Sequence, residues 1–404
     1  MVKVKVKNKY ITQEIELTHP LDNLNLMVKD ETTELIVKLN YEELPGNYEV
    51  NSGAPEKNFH SFLGRQEKLL DLTNFDNLTK LVIVDIFNKN KKTLYDWVGK
   101  VCSGSNLLNI ISSSIKKVYC IGSNISYIEC LPTSLTHLRC SSNNIMGIKY
   151  LPSTLEILEL SNCGLGKNNI SLYQFYLPNL KILNINSNNL CLDVDKFISP
   201  LDTLKILKLS NNKFTNINIL YELMPNLEIL KCSNNQLTEN SFVNLPPGLK
   251  ILDCSHNHIK SLENLPTGIE ILDCSYNELE SLDYLLSSIV RLNCSHNQIT
   301  QLDNLPCLME YLTISSNPIV ELENLPSSIT YLKICGCNKF KNKISNPPKM
   351  LEKVIIINNN TETLNGYNFA NLANLPKIKS VIVKRHCPYG VVGNYCNCTQ
   401  NLIK

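Results

Sequence analysis

The chain has 404 residues, of which 43% are hydrophobic and 19% are charged, and its formal net charge is +2. This length and apolar content are sufficient for a large hydrophobic core. The near-neutral charge gives no reason to expect a nucleic acid or a membrane surface as a partner.

The beginning of the chain, MVKVKVKNKYITQEIELT, has no apolar run of the kind that a signal peptide contains. Elsewhere, no apolar stretch approaches the ~20 residues that a membrane-spanning helix needs. We therefore expect a cytoplasmic protein.

Residues 1–77 are predicted to form an N-terminal cap or a set of degenerate repeats. Val2, Val4 and Val6 alternate with lysines, which predicts a half-buried edge strand, and further strands are expected over residues 11–17 and 35–39. A stack of repeats needs an end that shields its first core layer, which favours a cap. A separate small domain is the alternative. A helix is predicted over residues 93–101.

Residues 78–383 are dominated by one repeated unit. Its four clearest copies begin at Leu249, Ile269, Ile289 and Met309, and they read LKILDCSHNHIKSLENLPTG, IEILDCSYNELESLDYLLSS, IVRLNCSHNQITQLDNLPCL and MEYLTISSNPIVELENLPSS. The common form is LxxLxCSxNxIxxLxxLPxx. A fixed period with apolar residues at places 1, 4, 6, 11, 14 and 17 indicates one supersecondary unit repeated along the chain.

Each unit predicts one short strand at places 3–5, a turn at place 9 and a return segment through places 11, 14 and 17. The units begin at Ile115, Leu135, Leu155, Leu180, Leu204, Leu227, Leu249, Ile269, Ile289, Met309 and Ile329, and more loosely at Leu351 and Ile378. The four units from residue 155 to residue 248 are longer than the others, and their extra residues predict a helical turn in the return segment. The shorter units are predicted to return in extended form.

These residues resemble the leucine-rich repeat, LxxLxLxxNxL, and the Leu-Pro at places 17 and 18 is similar to its short 20-residue bacterial class. The composition and repeat form also resemble leucine-rich repeat proteins of giant amoeba viruses. The resemblance implies an α/β leucine-rich repeat solenoid, a horseshoe with a parallel β-sheet on its concave face and a mostly extended or short-helical convex side. Residues 384–404 are then expected to form the C-terminal cap.

Two inward places carry residues that are not aliphatic. Place 9 is asparagine in most units, and stacked amides there are predicted to satisfy backbone groups that the bend leaves unpaired. Side-by-side parallel strands seldom offer disulfide geometry, so cysteines at place 6 are expected to be buried thiols in a reducing compartment. These cysteines are Cys120, Cys140, Cys232, Cys254, Cys274 and Cys294.

Places 3 and 5 are predicted to point away from the core, onto the concave face of the sheet, and we name this surface the strand face. Place 3 is isoleucine in six successive units, at Ile157, Ile182, Ile206, Ile229, Ile251 and Ile271, and it is tyrosine at Tyr311 and Tyr331. Place 5 carries Lys208 and Lys231, followed by Asp253 and Asp273. A monomer seldom exposes a long apolar patch without a use, so we predict a protein-binding surface with a charged rim. Lateral packing of β-branched residues and self-association are the alternatives.

Other chemistry-bearing residues favour structural interpretations. His256 and His296 occupy place 8 two repeats apart, which is too far to share a metal ion. Cys191 and Asp193 match the spacing at the catalytic cysteine of bacterial ubiquitin-ligase effectors with Leu-Pro repeats. However, Cys191 follows a repeat strand, and the chain has no room for the large helical catalytic domain of those enzymes.

The C-terminal residues His386, Cys387, Cys396 and Cys398 fit no usual zinc spacing. Whether these cysteines are free, paired or metal-bound stays open.

We therefore predict a non-enzymatic protein–protein interaction module that has no catalytic residue, no cofactor and no metal. The viral resemblance implies a host protein as its partner. The alternative is a substrate-receptor subunit of a ubiquitin ligase, which needs a recruiting element within residues 1–110, and none is recognisable there. A monomer is expected, although the oligomeric state stays open.

Overall fold

A computed structural model describes residues 114–122, 125–191, 193–337, 344–358, 372 and 375–385. It also gives the backbone of six strands before residue 112 and of one strand at Thr399–Leu402. The chain divides into two compact units. We name Met1–Leu190 with Asp195–Leu204 the N-terminal unit, and Cys191–Val194 with Lys205–Lys404 the C-terminal unit.

Three antiparallel strands begin the N-terminal unit. Strand β1 (Val2–Asn8) pairs on one side with β2 (Thr12–Leu17) and on the other with β3 (Thr32–Leu39). The predicted strands are confirmed, but the prediction that the first one lies at an edge is wrong, since β1 has a neighbour on each side. The alternation of valine and lysine indicates that β1 has one apolar face, but it does not indicate whether β1 pairs with one strand or with two.

The rest of the N-terminal unit forms two parallel ladders. Its strands are β4 (Leu70–Asp71), β5 (Lys80–Asp85), β6 (Leu107–Ile111), β7 (Lys117–Tyr119), β8 (Tyr127–Cys130), β9 (His137–Arg139), β10 (Gly147–Ile148), β11 (Ile157–Glu159) and β12 (Ile182–Asn184). The first ladder runs β3, β5, β7, β9, β11 and β12, and the second runs β4, β6, β8 and β10. Strands β8 and β10 lie in return segments, so the extended return predicted for short units is confirmed there.

The C-terminal unit continues the pattern of one strand per repeat. Its strands are β13 (Ile206–Lys208), β14 (Ile229–Lys231), β15 (Ile251–Asp253), β16 (Ile271–Asp273), β17 (Arg291–Asn293), β18 (Tyr311–Thr313), β19 (Tyr331–Cys335), β20 (Lys353–Asn358), β21 (Ser380–Arg385) and β22 (Thr399–Leu402). Strands β13 to β21 pair in parallel in chain order, and β22 is antiparallel to β21. Each parallel strand begins at place 3 of its repeat, as predicted.

Helical turns occur in three of the four longer repeats. They are α1 (Val194–Phe197), α2 (Leu220–Leu223) and a 3₁₀ helix at Glu239–Phe242. The prediction is wrong for the repeat that begins at Leu155, whose return segment contains only turns. Its chain passes through Gly164 and Asn169 at φ of 70° and 52°, and left-handed residues do not continue a right-handed helix.

The core consists of apolar residues at the same places in every repeat. In the repeat that begins at Leu249, the side chains of Leu249, Leu252, Cys254, Ile259 and Leu262 are at most 3% exposed. Each buried aliphatic side chain contributes ~1.5–3 kcal/mol before the entropy cost of ordering the chain. One repeat cannot enclose such a core alone, so its neighbours complete it. Parallel strands in fixed register over this shared core make the fold a leucine-rich repeat solenoid.

Buried asparagines at place 9 join successive repeats, as predicted. The Asn277 side-chain oxygen accepts the N–H of Ile259 at 3.1 Å, and its amide nitrogen donates to the carbonyls of Cys254, Cys274 and Ser275 at 3.0–3.2 Å. Two repeats are therefore linked through one side chain. The same bond to a backbone N–H of the preceding repeat is made by Asn143, Asn188, Asn235, Asn257, Asn297 and Asn317.

All six place-6 cysteines are buried free thiols, which confirms their predicted burial, while the reducing compartment stays a prediction. The Cys232 thiol donates to the Asp253 carbonyl at 3.3 Å, and the Cys254 thiol donates to the Asp273 carbonyl at 3.4 Å. Burial raises the pKa of both thiols well above its usual range. Buried Cys163, at place 9, has a pKa raised by burial to about 12. These thiols are therefore neutral and hydrogen-bonded near pH 7.

Replacing a buried asparagine at place 9 should destabilise the fold. Asn277→Ala removes four hydrogen bonds and leaves backbone groups buried without partners, so we expect the free energy of unfolding to fall by about 2–4 kcal/mol. The matched control is Gln298→Ala, at an exposed side chain, which should change it by less than about 0.5 kcal/mol. Urea denaturation followed by circular dichroism measures both. Equal effects of the two substitutions would contradict the claim that the place-9 asparagines stabilise the fold.

Thiol labelling should separate two classes of cysteine. In the native protein, iodoacetamide should label the exposed Cys130, Cys191 and Cys307, while the place-6 cysteines stay unmodified until urea unfolds the chain. Peptide mass spectrometry reads each site. Rapid labelling of the place-6 cysteines in the native protein would disprove their burial.

The stability of the fold should also depend on pH through Cys163. Because the pKa of this thiol is raised from 9.0 to about 12, the neutral thiol stabilises the fold below pH 9, and this contribution is lost between pH 9 and 12.

Candidate protein-binding surface

An apolar stripe runs along the strand face of the C-terminal unit. Ile206 lies beside Ile229, Ile229 beside Ile251, and Ile251 beside Ile271. All four side chains are half-buried, so part of each one is open to solvent. With parallel strands ~4.8 Å apart, the four residues form a continuous stripe of about 14 Å between the outer two.

The other two predicted isoleucines lie on the strand face of the N-terminal unit. Ile157 and Ile182 are neighbours there, and both are half-buried. His137 precedes Ile157 in the ladder, and its pKa is lowered by burial and by the charge of Lys117. The six predicted isoleucines thus form a pair on the N-terminal unit and a row of four on the C-terminal unit.

Charged residues lie beside the row of four in the predicted order. Lys208 is adjacent to Lys231, Lys231 to Asp253, and Asp253 to Asp273. Within the described part of the chain, neither lysine has a carboxylate within 4 Å. Lys205 differs, because its Nζ lies 2.8 Å from a Glu228 carboxylate oxygen. Lys208 and Lys231 therefore form a small basic patch that has no ion pair with any residue that the structure describes.

The two aspartates are held in place by neighbouring side chains. The hydroxyls of Ser255 and Ser275 donate to Asp253 and Asp273 at 2.7 and 2.5 Å. The side-chain amide of Asn293 donates to the second oxygen of Asp273 at 2.9 Å. Both carboxylates are therefore oriented while they stay half-exposed.

A ladder of two cations and two aromatic rings continues place 3 beyond Ile271. The Arg291 guanidinium carbon lies 4.3 Å from the ring centroid of Tyr311. The rings of Tyr311 and Tyr331 stack at 5.7 Å, and Lys353 Nζ lies 5.8 Å from the Tyr331 centroid. We name these four residues the cation–tyrosine ladder. Sequence reasoning selected the tyrosines and missed both cations, although their shared place in successive repeats was the available signal.

A second aromatic stack lies at place 8. The rings of His256 and His296 each stack on Tyr276, with centroids 3.9 Å apart and planes 11° apart. Burial lowers the pKa of His296, and the charge of His256 lowers it further. The ring of Tyr276 lies between the rings of the two histidines. Within the described residues, no group of three His, Cys, Asp or Glu side chains could hold a metal ion.

The predicted C-terminal cysteines Cys387, Cys396 and Cys398 lie outside the described residues, as do His386 and the helix predicted over residues 93–101. Cys191 is exposed. Across the ranges that the structure describes, no helix has the length and apolar composition required to cross a bilayer.

Neither a family model nor a curated protein matches this chain. Among solved structures, the chain is similar to YopM from Yersinia enterocolitica, at 21% identity over 86% of this chain and 89% of that one, with a TM-score of 0.45. It is also similar to the internalin InlF from Listeria monocytogenes, at 18% identity over 81% and 93%, with a TM-score of 0.44. InlJ from the same organism, whose functional domain includes a cysteine ladder, is 20% identical over 72% and 65%, with a TM-score of 0.41. At these values the likenesses carry no information on function.

The stacked histidine should titrate at an unusually low pH. We expect the NMR titration midpoint of His296 below 6.5, because the stack shields its ring from water. Tyr276→Asn, which keeps a residue suited to the left-handed backbone, should raise that midpoint towards 6.5. The control Tyr284→Asn, at another exposed tyrosine, should leave it unchanged. A wild-type midpoint at or above 6.5 would refute this explanation.

Proposed function

We propose that this chain is a non-enzymatic protein-binding module and that the strand face of the C-terminal unit contacts the partner. The observation that carries this proposal is the half-exposed row Ile206, Ile229, Ile251 and Ile271 with charges beside it. An apolar contact core with a polar rim is the usual composition of a protein interface. The pair Ile157 and Ile182 offers the same kind of surface on the N-terminal unit.

The order of the charges supports a protein partner of matching polarity. Lys208 and Lys231 are neighbours of like sign, and so are Asp253 and Asp273. Side by side, like charges cost folding free energy, and a partner with the opposite charges would offset this cost in the complex. The partner should therefore present acidic groups to the lysines, basic groups to the aspartates and apolar side chains to the isoleucines.

Capture from a cell lysate tests this proposal. The resemblance to proteins of giant amoeba viruses makes an amoebal lysate the first source, since a host protein is the partner it implies. One bait is the wild-type protein and the second carries Ile206→Glu, Ile229→Glu and Ile251→Glu. The matched control carries Thr267→Glu, Thr300→Glu and Gln301→Glu, at exposed positions away from the strands. Circular dichroism and thermal melting establish that each bait is folded.

We expect a protein that wild type and control retain and that the isoleucine variant loses. With that protein purified, Lys208→Glu combined with Lys231→Glu should weaken binding by about tenfold or more, as should Asp253→Lys combined with Asp273→Lys. These charge reversals keep the test decisive where the isoleucine variant fails to fold. Equal retention by all folded variants would refute the proposal, and a wild-type dimer that the isoleucine substitutions dissociate would assign the stripe to self-association.

A further inference from the structure

The cation–tyrosine ladder has a chemistry different from that of the isoleucine row beside it. Arg291, Tyr311, Tyr331 and Lys353 occupy place 3 of four successive strands, directly after Ile271. Lys333, at place 5 of the strand that carries Tyr331, adds a third cation on the strand face. The residues at places 3 and 5 of these four strands include no carboxylate.

The three cations have no acidic partner in the part of the chain that the structure describes. By contrast, two lysines that directly precede strands are paired: Lys181 with Glu156 at 2.9 Å and Lys205 with Glu228 at 2.8 Å. Glu352, which precedes Lys353 in the chain, is paired instead with Lys379 at 2.8 Å. Among the described residues, the cations of the ladder are therefore left without an ion pair.

The tyrosine rings fix the position of these cations rather than offering a stacking surface. Arg291 lies over the ring of Tyr311, that ring stacks with Tyr331, and Lys353 lies over the ring of Tyr331. Because both rings already contact a cation and each other, less ring surface is open to a nucleobase, which argues against a nucleic acid. A guanidinium that lies over a ring keeps its in-plane N–H donors, and these suit a carboxylate.

We propose that the cation–tyrosine ladder with Lys333 binds an acidic segment of the protein partner, adjacent to an apolar segment that contacts the isoleucine row. This inference depends on the proposed function and specifies the partner's chemistry at one end of the same face. Arg291 and Lys353 are exposed and Lys333 is half-exposed, so carboxylates can reach all three. A cation held in place before binding loses less side-chain entropy when it pairs.

A synthetic peptide tests the site without a known partner. It has about ten residues, which in extended form cross the eight strands β13 to β20 at ~4.8 Å spacing. One half contains leucine and alanine, the other alternates glutamate with alanine, and a fluorescent label reports binding through anisotropy. The matched peptide has glutamine in place of each glutamate. The whole chain of 404 residues is used throughout.

The protein variant combines Arg291→Gln, Lys333→Gln and Lys353→Gln. Its control combines Lys213→Gln, Lys260→Gln and Lys349→Gln, at exposed lysines of the same unit, so both variants have the same net charge. We expect the glutamate peptide to bind wild type and control alike, about tenfold more weakly to the ladder variant, and more weakly as salt is added. The glutamine peptide should bind all three proteins equally weakly.

Absence of binding by the glutamate peptide, or equal loss in the ladder and control variants, would overturn the inference. So would binding of a single-stranded RNA in place of the peptide. Failure here is distinguishable from failure of the proposed function. A lysate protein that the isoleucine variant loses and the ladder variant retains would leave the proposed function standing while removing this inference.

Discussion

A buried asparagine side chain at place 9 links most of the described repeats of this chain to the repeat before it. The bend after every strand takes backbone N–H and carbonyl groups out of water, where an unpaired group costs about 1–3 kcal/mol. Asn277 pairs four such groups across two repeats, and its equivalents do the same along the stack. Hydrogen bonds are directional, so this contact fixes the register of one repeat against its neighbour.

Because the register is fixed, residues at the same place of successive repeats lie side by side and form a column along the stack of repeats. Thiols follow thiols at place 6 inside the core, where burial keeps them neutral. Isoleucines follow isoleucines at place 3 on the strand face. A binding surface in such a fold is therefore determined by the outward places alone, and those places can vary without disturbing the asparagines or the core.

The repeat predicted most of this architecture from the residues alone. A strand at places 3–5, a polar link at place 9 and an inward place 6 all follow from one period, because the same pattern recurs many times. The central position of β1 did not follow, since alternation records a face and not the number of neighbouring strands. The return segment near Gly164 was mispredicted for a related reason, because bulk suggests a helix while backbone conformation decides it.

For the strand face, the sequence predicts which residues share a place in successive repeats, but it does not predict the contacts between their side chains. The row from Ile206 to Ile271 was selected because identical residues share a place. The cation–tyrosine ladder depends on rotamers that bring Arg291 and Lys353 over aromatic rings, and a place number does not encode a rotamer. The stack of His256, Tyr276 and His296 was missed for the same reason.

Hydrogen exchange of the asparagine side-chain amides tests the central claim most directly. In the native protein labelled with ¹⁵N at asparagine, NMR should show slow exchange for the place-9 amides, such as those of Asn257, Asn277 and Asn297. An exposed asparagine such as Asn304 should exchange freely. Protection confined to the place-9 amides is the predicted result. Exchange of those amides at the rate of exposed asparagines would contradict the claim that they link the repeats.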